Sequence, residues 1–317
     1  MVLSQPYLNA QFLSPALVGD GLYQQRIQSN LRTQMFNNQN VATTIVAGWD
    51  SQIKNNTVEN HNTFGYGFQI MSDQLAGGLL QTNYLTVNFA YRIFIDESKN
   101  NSIALGLAGT FTQTNLNQSK LVLGDQLYSQ MNHLSSSSGV PLTFNNYPHS
   151  ISANTGFAYK YHSSNNYIQT GLGAFFNAIP NIVSNTNQEA AGMRSNVFLN
   201  VETVVNEDKT FVFHGSYSNR SNNTSLNQQI TAGGAIGLPI AYKFDEVRRL
   251  YVGCYYRFKE AIIPTFSIMM DSYIFGVSYD IYNNDLSGAS LKQNGFELSL
   301  SKSFGKKRNE FLRTIFD

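Results

Sequence analysis

Hydrolytic chemistry needs a serine, a histidine and an acidic or amide group brought together, which directs attention to His133, His149, His162 and His214. His149 follows Pro148 at the start of an extended run and could meet Ser150, but the sequence assigns it no third partner. His162 falls in a short polar turn, where an imidazole is ordinarily solvated. Gly65-Tyr66-Gly67 and Gly171-Leu172-Gly173 look superficially like nucleotide loops, yet a phosphate loop needs a helix N-terminus behind it. Both lie in strand patterns, so their glycines are expected to admit close packing instead. Cys254 is the single cysteine, which excludes a disulfide within the chain and leaves no thiolate metal site. Set between Gly253 and Tyr255, it is expected to have a small apolar surface or packing role. The basic run Lys306-Lys307-Arg308 is short, and 21 basic against 20 acidic residues give a net charge of +1. Nucleic-acid binding therefore has no electrostatic support. These residues point to no enzyme, no metal and no cofactor.

The elements that would position any site have the period of a strand, in which successive side chains point to opposite faces. Leu85, Val87, Phe89, Tyr91, Ile93 and Ile95 oppose Thr86, Asn88, Ala90 and Arg92. The same alternation of an apolar with a small or polar face recurs in Phe64–Ile70, Ile103–Phe111, Ala153–Tyr161, Leu250–Phe258, Tyr273–Ile281 and Phe296–Phe304. Strands are expected near 24–35, 41–50, 63–72, 79–95, 102–114, 149–161, 166–178, 195–204, 209–218, 227–243, 249–258, 262–270, 273–282 and 294–304. That is about fourteen, an even number of long strands, as in a transmembrane antiparallel β-barrel. Connections at 96–101, 162–165, 206–208 and 245–248 are short and charged, whereas 115–148, 179–194 and 283–293 are long and polar. Short periplasmic turns and longer extracellular loops are the asymmetry of such barrels; the 51–62 turn is longer than that rule prefers.

Composition agrees with a membrane barrel and not with a soluble sandwich. Charged residues make up 13% of the chain, about half the usual share, and no apolar run approaches the roughly 18 residues of a membrane helix. The polar strand faces are mostly Gly, Ala, Ser, Asn and Thr, which suits a confined lumen, and tyrosines gather near strand ends as in interfacial girdles. Parity places a ladder of charges inside: Arg26, Arg32, Arg92, Lys160, Glu202, Arg257, Asp280 and Glu297. They pair with one another, or part of the ladder receives an inserted partner segment, such as a chain-end carboxylate held by arginines. On this reading, reversing Arg92 or Arg257 leaves membrane insertion nearly intact. The last strand alternates to Phe304, an aromatic end like the assembly signal of outer-membrane proteins, and 305–317 forms a tail of open role.

Several blocks in order resemble the PorP/SprF family of outer-membrane barrels of the type IX secretion and gliding machinery of Bacteroidota. Gln11-Phe12-Leu13-Ser14-Pro15-Ala16-Leu17-Val18-Gly19 is similar to the family's Asn-Pro-Ala-x-x-Gly opening, with Ser14 in place of Asn. Arg32-Thr33-Gln34-Met35 is similar to its Arg-Asn-Gln-Trp, with Met35 in place of Trp. Asn88–Ile93, Leu105–Gly109, Tyr279-Asp280-Ile281 followed by Leu286, and Gly295–Ser301 follow in the family's order. The resemblance implies a non-enzymatic barrel that helps export and anchor a large secreted adhesin at the cell surface by binding its C-terminal domain, with translocon components and outer-membrane lipid as partners. A passive or substrate-selective pore is the alternative. It favours an N-terminal periplasmic segment 1–22 ordered as an inner plug or rim contact over a disordered leader, ahead of the barrel over 23–304 and the tail over 305–317 that the alternation marks, and numbering that begins after a removed signal peptide. The adhesin contact is expected on Leu123, Leu127, Tyr128, Met131, Leu134 and Phe144. Leu123, Leu127, Met131 and Leu134 share one face of a short helix, and apolar residues in a wetted loop need a cover. An inward-folded lid is the other reading of that loop.

Overall fold

The computed structural model describes residues 3–36, 39–54, 62–117, 120, 149–179, 194–205, 209–222, 225–243, 246–283, 293–307 and 313–317. The loop residues Leu123, Leu127, Tyr128, Met131, Leu134 and Phe144, and His133, lie outside the described residues.

Alternation of apolar and polar side chains builds fourteen strands among the described residues. They are β1 Tyr23–Phe36, β2 Gln39–Lys54, β3 Thr63–Leu75, β4 Leu80–Phe94, β5 Asn101–Leu116, β6 Ser150–His162 and β7 Asn166–Ile179. They continue with β8 Arg194–Val205, β9 Lys209–Asn222, β10 Ser225–Lys243, β11 Glu246–Arg257, β12 Ala261–Met270, β13 Tyr273–Tyr282 and β14 Gln293–Lys307. Each pairs antiparallel with its sequence neighbours, and β1 pairs with β14 to close the barrel. Closure leaves no unpaired strand edge, the condition for crossing lipid.

The last strand runs past the expected stop at Phe304 to Lys307. Gly305, at φ +90, takes up the irregularity, and the pairing shifts register between Tyr23 and Gln25 before Tyr23 meets Lys307. Only glycine occupies that backbone region without strain, so alternation fails there while pairing continues.

The outer face is a continuous apolar surface: Leu105 and Leu107 are 61% and 63% exposed, and Phe68, Ile70, Phe89, Val252 and Phe266 stand beside water or lipid in the same way. A surface of that extent belongs in hydrocarbon. The inner face is packed. Every residue from Leu3 to Leu22 is buried, and so is every residue from Arg313 to Asp317. Segment 3–22 folds as a turn at Pro6–Leu8, a one-turn helix at Ala10–Leu13 and a turn at Pro15–Leu17, and it lies within the barrel.

The wall is shaped to receive that segment. A Cβ on Gly65 would collide with the Val18 carbonyl, one on Gly106 with the Pro15-Ala16 backbone, and one on Gly156 with the Ser14 hydroxyl. The Gly65-Tyr66-Gly67 pattern thus marks a notch for the chain's own N-terminal segment, with Tyr66 facing outward against Trp49.

Candidate functional site: the lumen and its inserted ends

Two polar clusters grip the N-terminal segment, one toward each rim. Near the rim that carries the long loops, Arg32 and Glu297 face each other across the β1–β14 seam. Gly295 opposes Asp280 on β13, and its missing side chain leaves space for that carboxylate. Asp280 accepts from Arg32 at 2.6 Å, Arg257 at 3.0 Å and the Ser4 hydroxyl at 2.6 Å. Glu297 accepts the backbone N–H groups of Ser4 at 2.6 Å and Gln5 at 3.2 Å. Two wall carboxylates therefore fix one end of the inserted segment.

The other cluster surrounds Asp20. Its carboxylate accepts from Lys160 at 2.6 Å and Gln169 at 2.6 Å and pairs with Arg92 at 2.9 Å. Arg92 also donates to the Ala16 carbonyl at 3.3 Å. Beside it, Arg26 and Asp50 face each other in register on β1 and β2 and form a two-pronged pair at 3.1 and 2.9 Å. Asp50 accepts the Gly19 N–H at 2.7 Å, while Arg26 donates to the Leu17 carbonyl at 3.3 Å.

Between the clusters the contacts are neutral amides. Asn9 bridges Asn30 and Gln69, Gln11 accepts from Asn88, and the Ala10 N–H donates to Gln28. Burying a polar segment is costly unless its donors and acceptors are matched; the inward Asn and Gln residues supply most of the partners, while Gln5 Oε1 and Gln11 Nε2 are left without one.

The second inserted end, 313–317, packs between the first and the wall. The Ile315 N–H donates to Glu202 at 2.8 Å, and Tyr251 donates to the same carboxylate at 2.9 Å. Arg26 donates to the main-chain oxygen of Asp317 at 3.1 Å. Phe316 stacks on Tyr167, with ring centroids 5.5 Å apart and planes at 17°.

All eight ladder residues, Arg26, Arg32, Arg92, Lys160, Glu202, Arg257, Asp280 and Glu297, are buried on the inner face. Arg32 and Arg257 share Asp280, Arg92 and Lys160 share Asp20, and Arg26 pairs with Asp50. Glu202 and Glu297 accept from inserted backbone. The ladder is thus matched partly within the wall, through Asp50 and Asp280, and partly by the inserted segments, through Asp20 and the backbone at Ser4, Gln5 and Ile315, which changes the expected cost of reversing Arg92 or Arg257. Each guanidinium is 3% exposed or less and faces an acid at 2.9–3.0 Å, so reversal sets two buried carboxylates against each other. The expected ladder omitted Asp50 on β2 and the partners Asp20, Ser4 and Leu17, which lie on the inserted segment, where there is no period to read.

Two histidines are buried in the lumen, and His162 departs from the solvated reading. His162 ends β6 buried, edge-on to Tyr167 at 5.0 Å. His214 is fully buried, its Nδ1 2.6 Å from Asn200 Oδ1, and Asn200 continues through Gln169 to Asp20. Strand parity puts both inside, and the lumen is filled. His149 stacks on Phe111. Cys254 faces outward. Among the described residues no group of three or more His, Cys, Asp or Glu could hold a metal ion.

The family model for the type IX secretion system membrane protein PorP/SprF matches residues 1–301. The chain belongs to the PorP/SprF family. Its match spans the inserted N-terminal segment as well as the strands, so that segment is part of what the family model covers. Among solved structures, this PorP/SprF barrel is similar to the Pseudomonas putida toluene transporter TodX at 9% identity, over 95% of this chain and 94% of that one, with a TM-score of 0.51. It is also similar to the Ralstonia pickettii toluene transporter TbuX at 9% identity, over 95% and 93%, with a TM-score of 0.49. The likeness to TodX is one of fold. No curated protein sequence matches the chain.

Proposed function

We propose that this type IX secretion barrel works as a surface anchor: it helps export a large adhesin, as in gliding motility, and holds it by its C-terminal domain, without catalysing a reaction. The outer membrane of a Gram-negative bacterium of the Bacteroidota is its place, reached after removal of a signal peptide, with translocon components beside it and outer-membrane lipid around it.

The observation that carries this reading is the filled lumen. An open pore needs a water path, and here segments 3–22 and 313–317 occupy the interior with matched charges and packed rings. What the barrel offers to a partner is then its outer rim, and the adhesin grip is assigned to Leu123, Leu127, Tyr128, Met131, Leu134 and Phe144 with the neighbouring 179–194 loop.

Deletion of 121–134 tests it. Adhesin should appear in the medium while the barrel still assembles in the outer membrane. Adhesin retained on the surface at its normal level would mean that the gripping site is elsewhere.

A further inference from the structure

Residues 313–317 are buried, yet they belong to no strand. A strand residue is fixed by ladders on both sides; this segment is held only as a peptide ligand is held. The Thr314 N–H and hydroxyl donate to the Asp317 carboxylate at 2.8 and 3.1 Å, folding the segment on itself. Outward contacts then come from separate parts of the wall: Glu202 on β8 accepts the Ile315 N–H, Arg26 on β1 takes the Asp317 oxygen, and Tyr167 on β7 stacks on Phe316. Arg313 donates to the Tyr273 carbonyl at 3.4 Å, and the inserted N-terminal segment contributes Tyr7, which meets Phe316 edge-on at 5.9 Å.

We propose that the lumen holds a peptide-binding site, formed by Arg26, Tyr167, Glu202 and Tyr7, for a short aliphatic–aromatic–acidic segment, and that Ile315-Phe316-Asp317 is its detachable resident. Occupancy locks the N-terminal plug. Arg26 is the coupling group, because one guanidinium serves the wall through Asp50, the plug through the Leu17 carbonyl and the segment through Asp317. Release removes the ring on which Tyr7 rests and one of the three partners of Arg26. The proposal goes beyond the anchoring role, which does not depend on it.

The test uses the purified barrel in planar bilayers, full length and lacking 313–317, with a synthetic peptide of residues 313–317. The full chain should stay closed. The shortened chain should lose closure, and added peptide should restore it, whereas the same peptide with Phe316→Ala should not. A shortened barrel as closed as the full chain would overturn the proposal, and so would closure by both peptides alike or by neither. Should the shortened chain fail to insert, full-length Phe316→Ala gives the same readout: loss of closure supports the site, and unchanged closure overturns it.

Discussion

The Phe316 ring lies edge-on to that of Tyr7, centroids 5.9 Å apart and planes at 78°, so the two ends of the described chain meet inside the barrel that they begin and finish. His214 and Tyr255 pack on the same Tyr7 ring, at 5.0 and 5.4 Å. An aromatic cluster thus joins both inserted segments to β9 and β11, and aromatic pairs of this kind each contribute about 0.5–1.5 kcal/mol beyond burial.

Asp20 gives the sharpest stability prediction. Asp20→Asn leaves Arg92 and Lys160 buried without their shared counter-charge, and breaking a buried pair in this way costs about 3–5 kcal/mol. Urea unfolding in detergent micelles should show that loss, and a midpoint equal to the parent's would mean the plug carries little of the stability.

Notches in the wall predict a different outcome. Gly106→Val places side-chain atoms where Pro15 and Ala16 run, so the plug should leave while the strands persist. Protease should then cut within 3–22 in the folded variant and spare the parent, with the heat-modifiable barrel band unchanged in both.

The outer surface predicts a depth-dependent cost. Arginine at Phe89 or Val252, which face outward at 47% and 51% exposure, should destabilise by about 2–4 kcal/mol near the bilayer midplane. Outward leucine exchanges such as Val252→Leu should be close to neutral in the same unfolding assay.

Asp96 predicts an acid-side effect at the rim. Desolvation is the largest single influence and raises its carboxyl, but bonds from the backbone N–H groups of Asn101 at 2.7 Å and Asn100 at 3.1 Å, with others in the turn, together outweigh it and hold the group below the usual carboxylate range. A depressed folded value means the stabilisation is present above the unfolded value, about 3.9, and is lost as pH falls through the folded one. The stability difference between parent and Asp96→Asn should therefore shrink on acidification below pH 4; a constant difference would contradict the turn's role.

Strand number and strand faces were legible because lipid outside and a crowded lumen inside impose period two on nearly every wall residue. Residues 1–22, expected as a plug only through the family resemblance, and the chain after Phe304 carry no such period. Pro6 and Pro15 break regular structure, and Ser4, Asn9 and Gln11 are polar for partners that lie far away in sequence, so no local pattern reports them. The glycines at 65, 106 and 156 were visible as lumen-facing, but what they make room for appears only when the plug is in place. His162 was misleading for the same reason: a filled interior turns a group expected in a solvated turn into a packed one.

Strand direction places the 117–149 connection on the rim opposite the start of β1. A tag inserted after Ser136 should therefore be labelled on intact cells, and labelling only after the outer membrane is ruptured would reverse the assigned orientation.

The measurement that tests the anchoring account most directly is purification of the full-length barrel from native membranes with identification of the chains that accompany it. The account predicts a large surface adhesin together with type IX translocon components, in amounts that fall when 121–134 is deleted. A barrel that purifies alone, and conducts ions steadily when placed in a bilayer, would contradict it.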